Sequence, residues 1–349
     1  DNVRWTTANS VPTWGHGPTI IQSGHTVTLT AHATVSSLTI DGTLNTGTYT
    51  LSGISALTAS STGVINVSGT SNFPYGFSSV TLNDGSTVNY NLNGNQNIFA
   101  TTYSNLTLSV GGTKSLTEAT TVNGTLTISR PLTTNSYQLT LGGDFIQNST
   151  FTQGIGTVLI NGNTTQTISG NTATTFYNLT VNKTGGSLSL SKAVAVSNTL
   201  SLQSGIINTT TTNLLSVTNT AASAISGGSA TAYINGPLLR DLPAVFSSSV
   251  SYNFPVGKSG NYYPFVLENP VTGTGTITAR VEAYTSNPGG SLDASLSAKS
   301  TTEYWSLTTA GNFTNAGVSI AKPTDISPFN SISGSATQTG TYTSLFGTA

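Results

Sequence analysis

The chain has 349 residues, of which 36% are hydrophobic and 6% are charged, and its formal net charge is −1. Many aliphatic residues with so little net charge exclude a disordered chain, and the length allows two domains with proper cores. The chain has no Cys, which excludes disulfides and thiolate metal sites, and its scattered basic residues exclude a nucleic-acid partner.

No apolar stretch approaches the length that a membrane-spanning helix needs, so we predict that no segment crosses a membrane. The chain also lacks Met, even as its first residue, which indicates a processed chain or a fragment of a longer one. A surface rich in Thr, Ser and Asn is more typical of secreted than of cytoplasmic proteins. We therefore expect an extracellular or cell-surface location, with the signal peptide already removed.

Residues 1–18 are predicted to cover the N-terminal end of a repetitive domain. They contain Trp5 and Trp14, and aromatic residues of this kind can close the end of an apolar core. An open end of a repetitive β-structure presents unpaired backbone groups, which invites pairing with another chain. If this cover were instead a docking surface, copies of the chain would stack end to end.

A long repeat follows, and its clearest phrase is the sequence ATTYSNLTL at residues 100–108. It returns 73 positions later as ATTFYNLTV at residues 173–181. Weaker similarity extends the repeat from about residue 19 to about residue 240. Glu118 of the first copy corresponds to Lys192 of the second. Because this position carries a negative charge in one copy and a positive charge in the other, we predict that its side chain points outward into solvent.

Within the repeat, apolar residues alternate with Thr, Ser and Asn, as in Leu106, Leu108 and Leu126. This period of two, with Gly and Asn between the runs, predicts short strands joined by turns, and no segment has a helical period. A unit of about 73 residues divides into about three coils of roughly 24 residues, which suits a solenoid better than a propeller. We therefore predict a right-handed parallel β-helix over residues 19–240.

The composition changes near residue 240, where longer alternating segments with more aromatic residues begin. The segment from Gly275 to Tyr284 alternates apolar residues with Thr278, Arg280 and Glu282. This pattern predicts an antiparallel β-sandwich over residues 241–349, with those three polar residues on its wet face. The fold class is thus all-β, and we expect the sandwich to continue beyond the chain end.

Several phrases resemble those of large secreted proteins of Bacteroidota that the type IX secretion system exports. The phrases are FYNLTV at residues 176–181, AYINGPL at residues 232–238 and FPVGK at residues 254–258. The resemblance covers roughly residues 80–285 and belongs to the scaffold, so it implies no particular activity. The resemblance implies that the protein is exported by that secretion machinery and is then either held at the cell surface or released.

No catalytic, cofactor-binding or metal-binding residue is predicted. His16, His25 and His32 are close in sequence but have no Cys or clustered carboxylate beside them, and whether they converge stays open. The acids of the predicted β-helix are Asp41, Asp84, Glu118 and Asp144, and the basic residues weighed with them are Lys114, Arg130, Lys183 and Arg240. Paired carboxylates of a glycosidase must converge, and these acids are well separated. Cross-strand ion pairs explain the sandwich residues Glu268, Arg280, Glu282 and Glu303.

Glycan binding is the activity that the sequence gives the weakest grounds to reject. Tyrosine and tryptophan beside amide side chains form sugar-binding platforms. The candidates are Tyr233, Tyr252, Tyr262, Tyr263, Tyr284 and Trp305. The interpretation that we favour is that these rings fill the sandwich core.

We therefore expect a non-enzymatic extracellular structural or adhesive surface protein, a rigid β-helical rod that displays or spaces binding domains. A self-assembling filament subunit is the first alternative, and a carbohydrate-binding or carbohydrate-processing β-helix is the second. The expected partners are a second copy of the chain, a surface glycan or another host or substratum ligand. No cofactor is expected.

Overall fold

The computed structural model describes residues 18–321 and 331–345, and these are almost entirely β-strand and turn. They fall into two compact units, the first ending at Ala195 and the second beginning at Val196. No helix in the described ranges has the length and apolarity to cross a membrane. The predicted cover at residues 1–18, with Trp5, Trp14 and His16, lies outside the described residues except for Pro18.

The first unit is built from short strands, most of them two to four residues long. They are β1 (Thr19–Ile21), β2 (Thr26–Thr28), β3 (Ala33–Val35), β4 (Leu38–Ile40), β5 (Thr43–Asn45), β6 (Leu51–Gly53), β7 (Ala56–Ala59), β8 (Val64–Val67), β9 (Ser79–Leu82), β10 (Thr87–Tyr90), β11 (Gln96–Ile98), β12 (Thr102–Tyr103), β13 (Asn105–Leu108), β14 (Lys114–Leu116), β15 (Thr120–Val122), β16 (Leu126–Ile128), β17 (Leu132–Thr133), β18 (Leu139–Leu141), β19 (Phe145–Gln147), β20 (Phe151–Thr152), β21 (Thr157–Ile160), β22 (Gln166–Ser169) and β23 (Thr174–Leu190).

These strands pair in parallel, usually with the strand three places along the chain, so one coil of the solenoid has three faces. The first ladder includes β12, β15, β18, β21 and the start of β23. The second runs from β2 through β13, β16 and β19 to the end of β23. The third includes β11, β14, β17 and β20. The prediction of a parallel β-solenoid is confirmed.

Alternation places one side chain of every two inside the coil. Leu106, Leu126, Phe145 and Ile168 follow one another along the second ladder and are each no more than 1% exposed. Burying such a side chain contributes about 1.5–3 kcal/mol relative to leaving it in water. The core therefore follows directly from the period-two pattern.

The predicted coil length is wrong for most of the first unit, because its coils are shorter than a third of the repeat. Thr26 pairs with Thr43 in the next coil, and Val64 pairs with Thr87 across a longer one, so the coil length also varies. Leu106 lies on the second ladder, whereas its repeat counterpart Leu179 lies on the first. One sequence repeat thus covers three complete coils and two of the three faces of the next coil. The three faces use the same short inward-outward alternation, so a repeated module fits any of them.

The second unit begins inside the strand that crosses the boundary. Its elements are β24 (Val194–Asn208), β25 (Leu215–Val217), a 3₁₀ turn (Ala222–Ala224), β26 (Ile225–Gly227), β27 (Ile234–Asn235), β28 (Leu238–Leu242), β29 (Ser251–Phe254), β30 (Val256–Lys258), β31 (Asn261–Tyr262), β32 (Phe265–Thr272), β33 (Ile277–Tyr284), β34 (Ser291–Leu292), β35 (Tyr304–Ala310), β36 (Phe313–Ile320), β37 (Ser333–Gly334) and β38 (Thr341–Ser344).

Parallel pairing gives way to antiparallel pairing within this unit. Strand β28 pairs in parallel with β25 and antiparallel with β33, which in turn pairs with β35. A second antiparallel sheet has the order β29, β32, β36, and a small sheet has the order β34, β38, β37. The predicted antiparallel β-sandwich is therefore present. Along β33, Ile277, Ala279, Val281 and Ala283 are buried, and Thr278, Arg280 and Glu282 are half-buried, so the predicted alternation is confirmed.

Candidate functional site

The histidines that the structure describes do not form a metal site. His32 Nδ1 lies 2.8 Å from Thr50 Oγ1 and accepts a 3.1 Å hydrogen bond from the Thr50 amide. His25 Nδ1 lies 3.2 Å from the Ser23 carbonyl oxygen. Within residues 18–321 and 331–345, no three His, Cys, Asp or Glu side chains are grouped as ligands of one ion. Both histidines are used in local turn and coil contacts.

The acids of the solenoid are outward-facing. Asp84 and Glu118 are exposed, and Asp41 and Asp144 are half-buried. Asp144 accepts a 2.7 Å hydrogen bond from the Thr167 amide, so it also ties two coils together. Lys192, the repeat counterpart of Glu118, is half-buried and donates a 3.5 Å bond to the Gln147 carbonyl oxygen. The predicted solvated position is therefore correct for Glu118 and only partly correct for Lys192.

Lys114 is fully buried inside the solenoid, where it bridges adjacent coils. Its ammonium donates hydrogen bonds of 2.9 Å to the Leu92 carbonyl, 3.1 Å to the Gly94 carbonyl and 2.6 Å to Gln96 Oε1. Gln96 in turn donates from Nε2 to the carbonyl oxygens of Val67 and Gly69. Burial lowers the pKa of Lys114 to about 8, with a smaller contribution from the charge of Arg130.

The second sequence copy contains the same arrangement at another corner of the coil. Lys183 donates to the carbonyl oxygens of Gly162 and Thr164 and to Gln166 Oε1. Burial lowers the pKa of Lys183, and the negative charge of Asp144 partly opposes that shift. We call each arrangement a lysine clamp, formed by Lys114 with Gln96 and by Lys183 with Gln166. Both lysines are thus structural, and the inward alternation of their strands is the sequence signal that could have placed them.

Arg240 is fully buried in the second unit, and it too has a structural role. It donates to the carbonyl oxygens of Ala221, Ala222 and Asn253 at 2.9–3.1 Å. Its guanidinium carbon lies 5.1 Å from the ring centroid of Tyr252 and 5.8 Å from that of Phe254. Burial lowers the pKa of Arg240 to about 10.

The charged residues predicted for the wet face of the sandwich divide into two groups. Glu282 forms an ion pair with Lys258 at 3.2 Å and accepts a 2.8 Å hydrogen bond from the Tyr284 hydroxyl. Glu268 and Arg280 are half-buried. Glu303 is only 5% exposed, so its predicted place on the wet face is wrong. It directly precedes β35, and the Tyr263 phenol is hydrogen-bonded to it.

The candidate aromatic residues also divide. Tyr233 and Tyr252 are at most 2% exposed and fill the core. Tyr262, Tyr263, Tyr284 and Trp305 are half-buried. Only Tyr284 and Trp305 of these six line the large cavity of the second unit.

That cavity, which we call the aromatic pocket, has a volume of about 720 Å³. Its aromatic lining residues are Phe265, Tyr284, Tyr304, Trp305 and Tyr342, and the charged residues of the described lining are Lys299 and Glu303. It also contains seven serines, Thr337 and Gln338. A volume between about 300 and 1,000 Å³ with apolar and convergent polar groups is typical of small-molecule sites.

Antiparallel register fixes two rings of the pocket. Tyr284 and Tyr304 are direct cross-strand partners on β33 and β35, and their rings stack with centroids 4.6 Å apart and an angle of 5°. Burial and the Glu282 hydrogen bond raise the pKa of Tyr284 to about 12. Its phenol therefore stays protonated at neutral pH. The sequence did not indicate Tyr304 or Tyr342, because their place depends on pairing between distant strands.

Contacts with loop residues fix other side chains that line the pocket. Trp305 Nε1 donates a 2.9 Å hydrogen bond to the Tyr263 carbonyl, which fixes the indole. Lys299 Nζ donates to the Gly290 carbonyl at 3.2 Å and lies 5.6 Å from the Tyr342 ring centroid. Burial raises the pKa of Tyr342, with a further contribution from Tyr304.

No protein-family model matches the chain, and neither does any curated protein sequence or solved structure. The conclusions about function therefore rest on the residues and their geometry.

Proposed function

We propose that the protein is a non-enzymatic extracellular protein with a structural or adhesive role. Its solenoid unit serves as a stiff spacer, and its second unit presents a binding surface. The observation that carries this proposal is the use of polar groups in the solenoid core. Lys114, Gln96, Lys183 and Gln166 are buried, and each of them bonds to the backbone of the coils beside it.

Buried polar groups are usually hydrogen-bonded within the protein. In the clamps the ammonium and amide groups donate to carbonyl oxygens of turns and so join neighbouring coils. The acids of the solenoid face outward or bond to backbone, as Asp144 does. This arrangement favours mechanical stability over chemistry.

The outward residues support an extracellular setting. Side chains that face water along the ladders include Thr39, Thr58, Thr107 and Thr127, which keep strand propensity and solubility without charge. The filament and carbohydrate-processing alternatives have no contact in the described residues that favours them.

Two measurements test the proposal. Antibody labelling of intact cells that produce the protein is expected to place it on the outer surface. Incubation of the purified chain with a panel of neutral and acidic polysaccharides is expected to release no reducing sugar. Labelling confined to the cell interior, or turnover of any polysaccharide in proportion to the amount of protein, would refute it.

A further inference from the structure

The aromatic pocket is lined by two chemically different sets of residues. Tyr284, Tyr304 and Tyr342 offer ring surface, as does Trp305, which points to the opposite face of β35 from Tyr304. Seven serines with Thr337 and Gln338 offer hydroxyl and amide groups. A ligand that fills the pocket must therefore offer a flat apolar face and several hydrogen-bonding groups at its edge.

Intramolecular contacts hold the aromatic rings that line the pocket. Tyr304 is stacked on Tyr284, and the indole of Trp305 is tied to the Tyr263 carbonyl. The Tyr342 hydroxyl donates a 2.8 Å hydrogen bond to the Gln338 carbonyl. Rings held in this way lose little conformational freedom when a ligand binds, which favours affinity.

The polar residues of the pocket favour a neutral ligand. Serine and threonine hydroxyls both donate and accept, so they match groups that do the same. The charged residues of the described lining are one lysine and one glutamate, Lys299 and Glu303. Their formal charges cancel, so the pocket has no net charge that would favour an anionic or a cationic ligand. A wholly apolar ligand would remove water from the hydroxyls without replacing its hydrogen bonds.

We infer that the aromatic pocket binds a neutral saccharide. A pyranose ring has an apolar face of C–H groups, which stacks on aromatic rings, and an edge of hydroxyls, which both donate and accept. A cavity of about 720 Å³ is large enough for a short oligosaccharide rather than a polymer surface. This inference rests on the proposed adhesive function and names its ligand class.

Trp305 provides a direct reporter of binding. The other two tryptophans of the chain are Trp5 and Trp14, so a variant with Trp5→Phe and Trp14→Phe emits from Trp305 alone. Cellobiose, lactose and chitobiose are titrated as neutral probes, with galacturonic acid and glucosamine as charged ones. We expect a saturable change of Trp305 emission with at least one neutral disaccharide and none with the charged sugars.

The variants separate stacking from folding. Tyr304→Ala is expected to weaken binding at least tenfold, because the stacked platform loses a ring, and Tyr304→Phe is expected to bind as the parent does. Tyr342→Ala, in a different sheet, is expected to weaken binding as well. Tyr137→Ala is the matched control, since Tyr137 is 41% exposed in the first unit and lies outside the pocket.

The inference would be overturned by no response to any neutral disaccharide, by a preference for a charged sugar, or by Tyr304→Ala and Tyr342→Ala binding as tightly as the parent. Circular dichroism of each variant shows whether it is folded. If Tyr304→Ala does not fold, the binding measured with Tyr342→Ala tests the inference instead. Failure of the proposed function has a different signature. Saccharide binding with a purely intracellular location would refute the adhesive role and leave the pocket assignment intact.

Discussion

Lys114 and Gln96 are register partners on adjacent coils, and the lysine ammonium donates a 2.6 Å hydrogen bond to the Gln96 side-chain oxygen. Lys183 also donates to the Gln166 side-chain oxygen, but the register partner of Gln166 is Leu188. A buried contact between lysine and glutamine is thus formed twice in the solenoid, from different positions of the sequence repeat.

Replacing Lys114 by methionine keeps most of the side-chain volume and removes three donated hydrogen bonds. We expect Lys114→Met to lower the free energy of unfolding by about 2 kcal/mol, because Gln96 Oε1 and two turn carbonyls each lose one hydrogen bond from a charged donor. Urea unfolding followed by circular dichroism measures the change. Lys192→Met is the matched control, since Lys192 makes a single 3.5 Å bond, and it should cost less than half as much. Equal losses for the two variants would refute the clamp.

The buried lysines also predict how stability depends on pH. The pKa values of Lys114 and Lys192 are lowered from 10.5 to about 8, so between these values the unfolded chain binds more protons than the folded one. The free energy of unfolding must then rise with pH. Above about pH 10 it should fall again, because the pKa of buried Tyr90 is raised to about 12, so its phenol keeps a proton that the unfolded chain loses.

Urea midpoints measured from pH 7 to pH 11 give this profile. The parent is expected to be most stable near pH 10. Lys114→Met should show a smaller rise between pH 8 and pH 10, since it lacks one of the lysines that titrate in this range. A variant profile parallel to that of the parent would mean that Lys114 does not titrate differently in the two states.

Arg240 predicts a local effect in the second unit. Removing its guanidinium removes a hydrogen bond from each of three carbonyl oxygens and the cation from two rings, so we expect Arg240→Met to cost about 3 kcal/mol. Hydrogen exchange followed by mass spectrometry should show lost protection in β28 and β29 and none lost in β13 and β16. Arg280→Met, at a half-buried position of β33, is the control and should leave protection unchanged. Uniform loss across both units would contradict the local role.

The coil register can be tested by engineered disulfides, because the chain has no cysteine of its own. Thr107 and Thr127 are register partners in adjacent coils, so Thr107→Cys with Thr127→Cys should oxidise readily. Thr107→Cys with Thr121→Cys should not, because Thr121 lies on another face. Mass spectrometry after mild oxidation distinguishes the two. Cross-linking of the second pair in preference to the first would show that the register is wrong.

The alternation of apolar and polar residues is sufficient to predict the strands and most of the core. Leu106, Leu126 and Val281 are buried as their pattern requires, because burial of every second side chain is a local property of a strand. The coil length is not accessible in this way. All three faces of a coil have the same short alternation, so the sequence does not mark where one coil ends and the next begins. The number of coils in the long repeat therefore cannot be read from its pattern alone.

The buried lysines and the aromatic pocket could not be predicted from the sequence, for a different reason. Lys114 occupies an inward position of its strand, but its partners are carbonyl oxygens in a turn of the preceding coil, which composition does not reveal. Tyr284 and Tyr304 meet only through the register of β33 with β35. Such contacts depend on tertiary pairing rather than on local pattern.

We propose a non-enzymatic protein whose second unit contains a saccharide-binding pocket. Attachment of protein-coated beads under flow to a film that displays a neutral disaccharide tests this most directly. Beads carrying the parent chain or Tyr137→Ala should attach, and beads carrying Tyr304→Ala should wash away. Equal attachment of all three, or attachment of none, would contradict the claim.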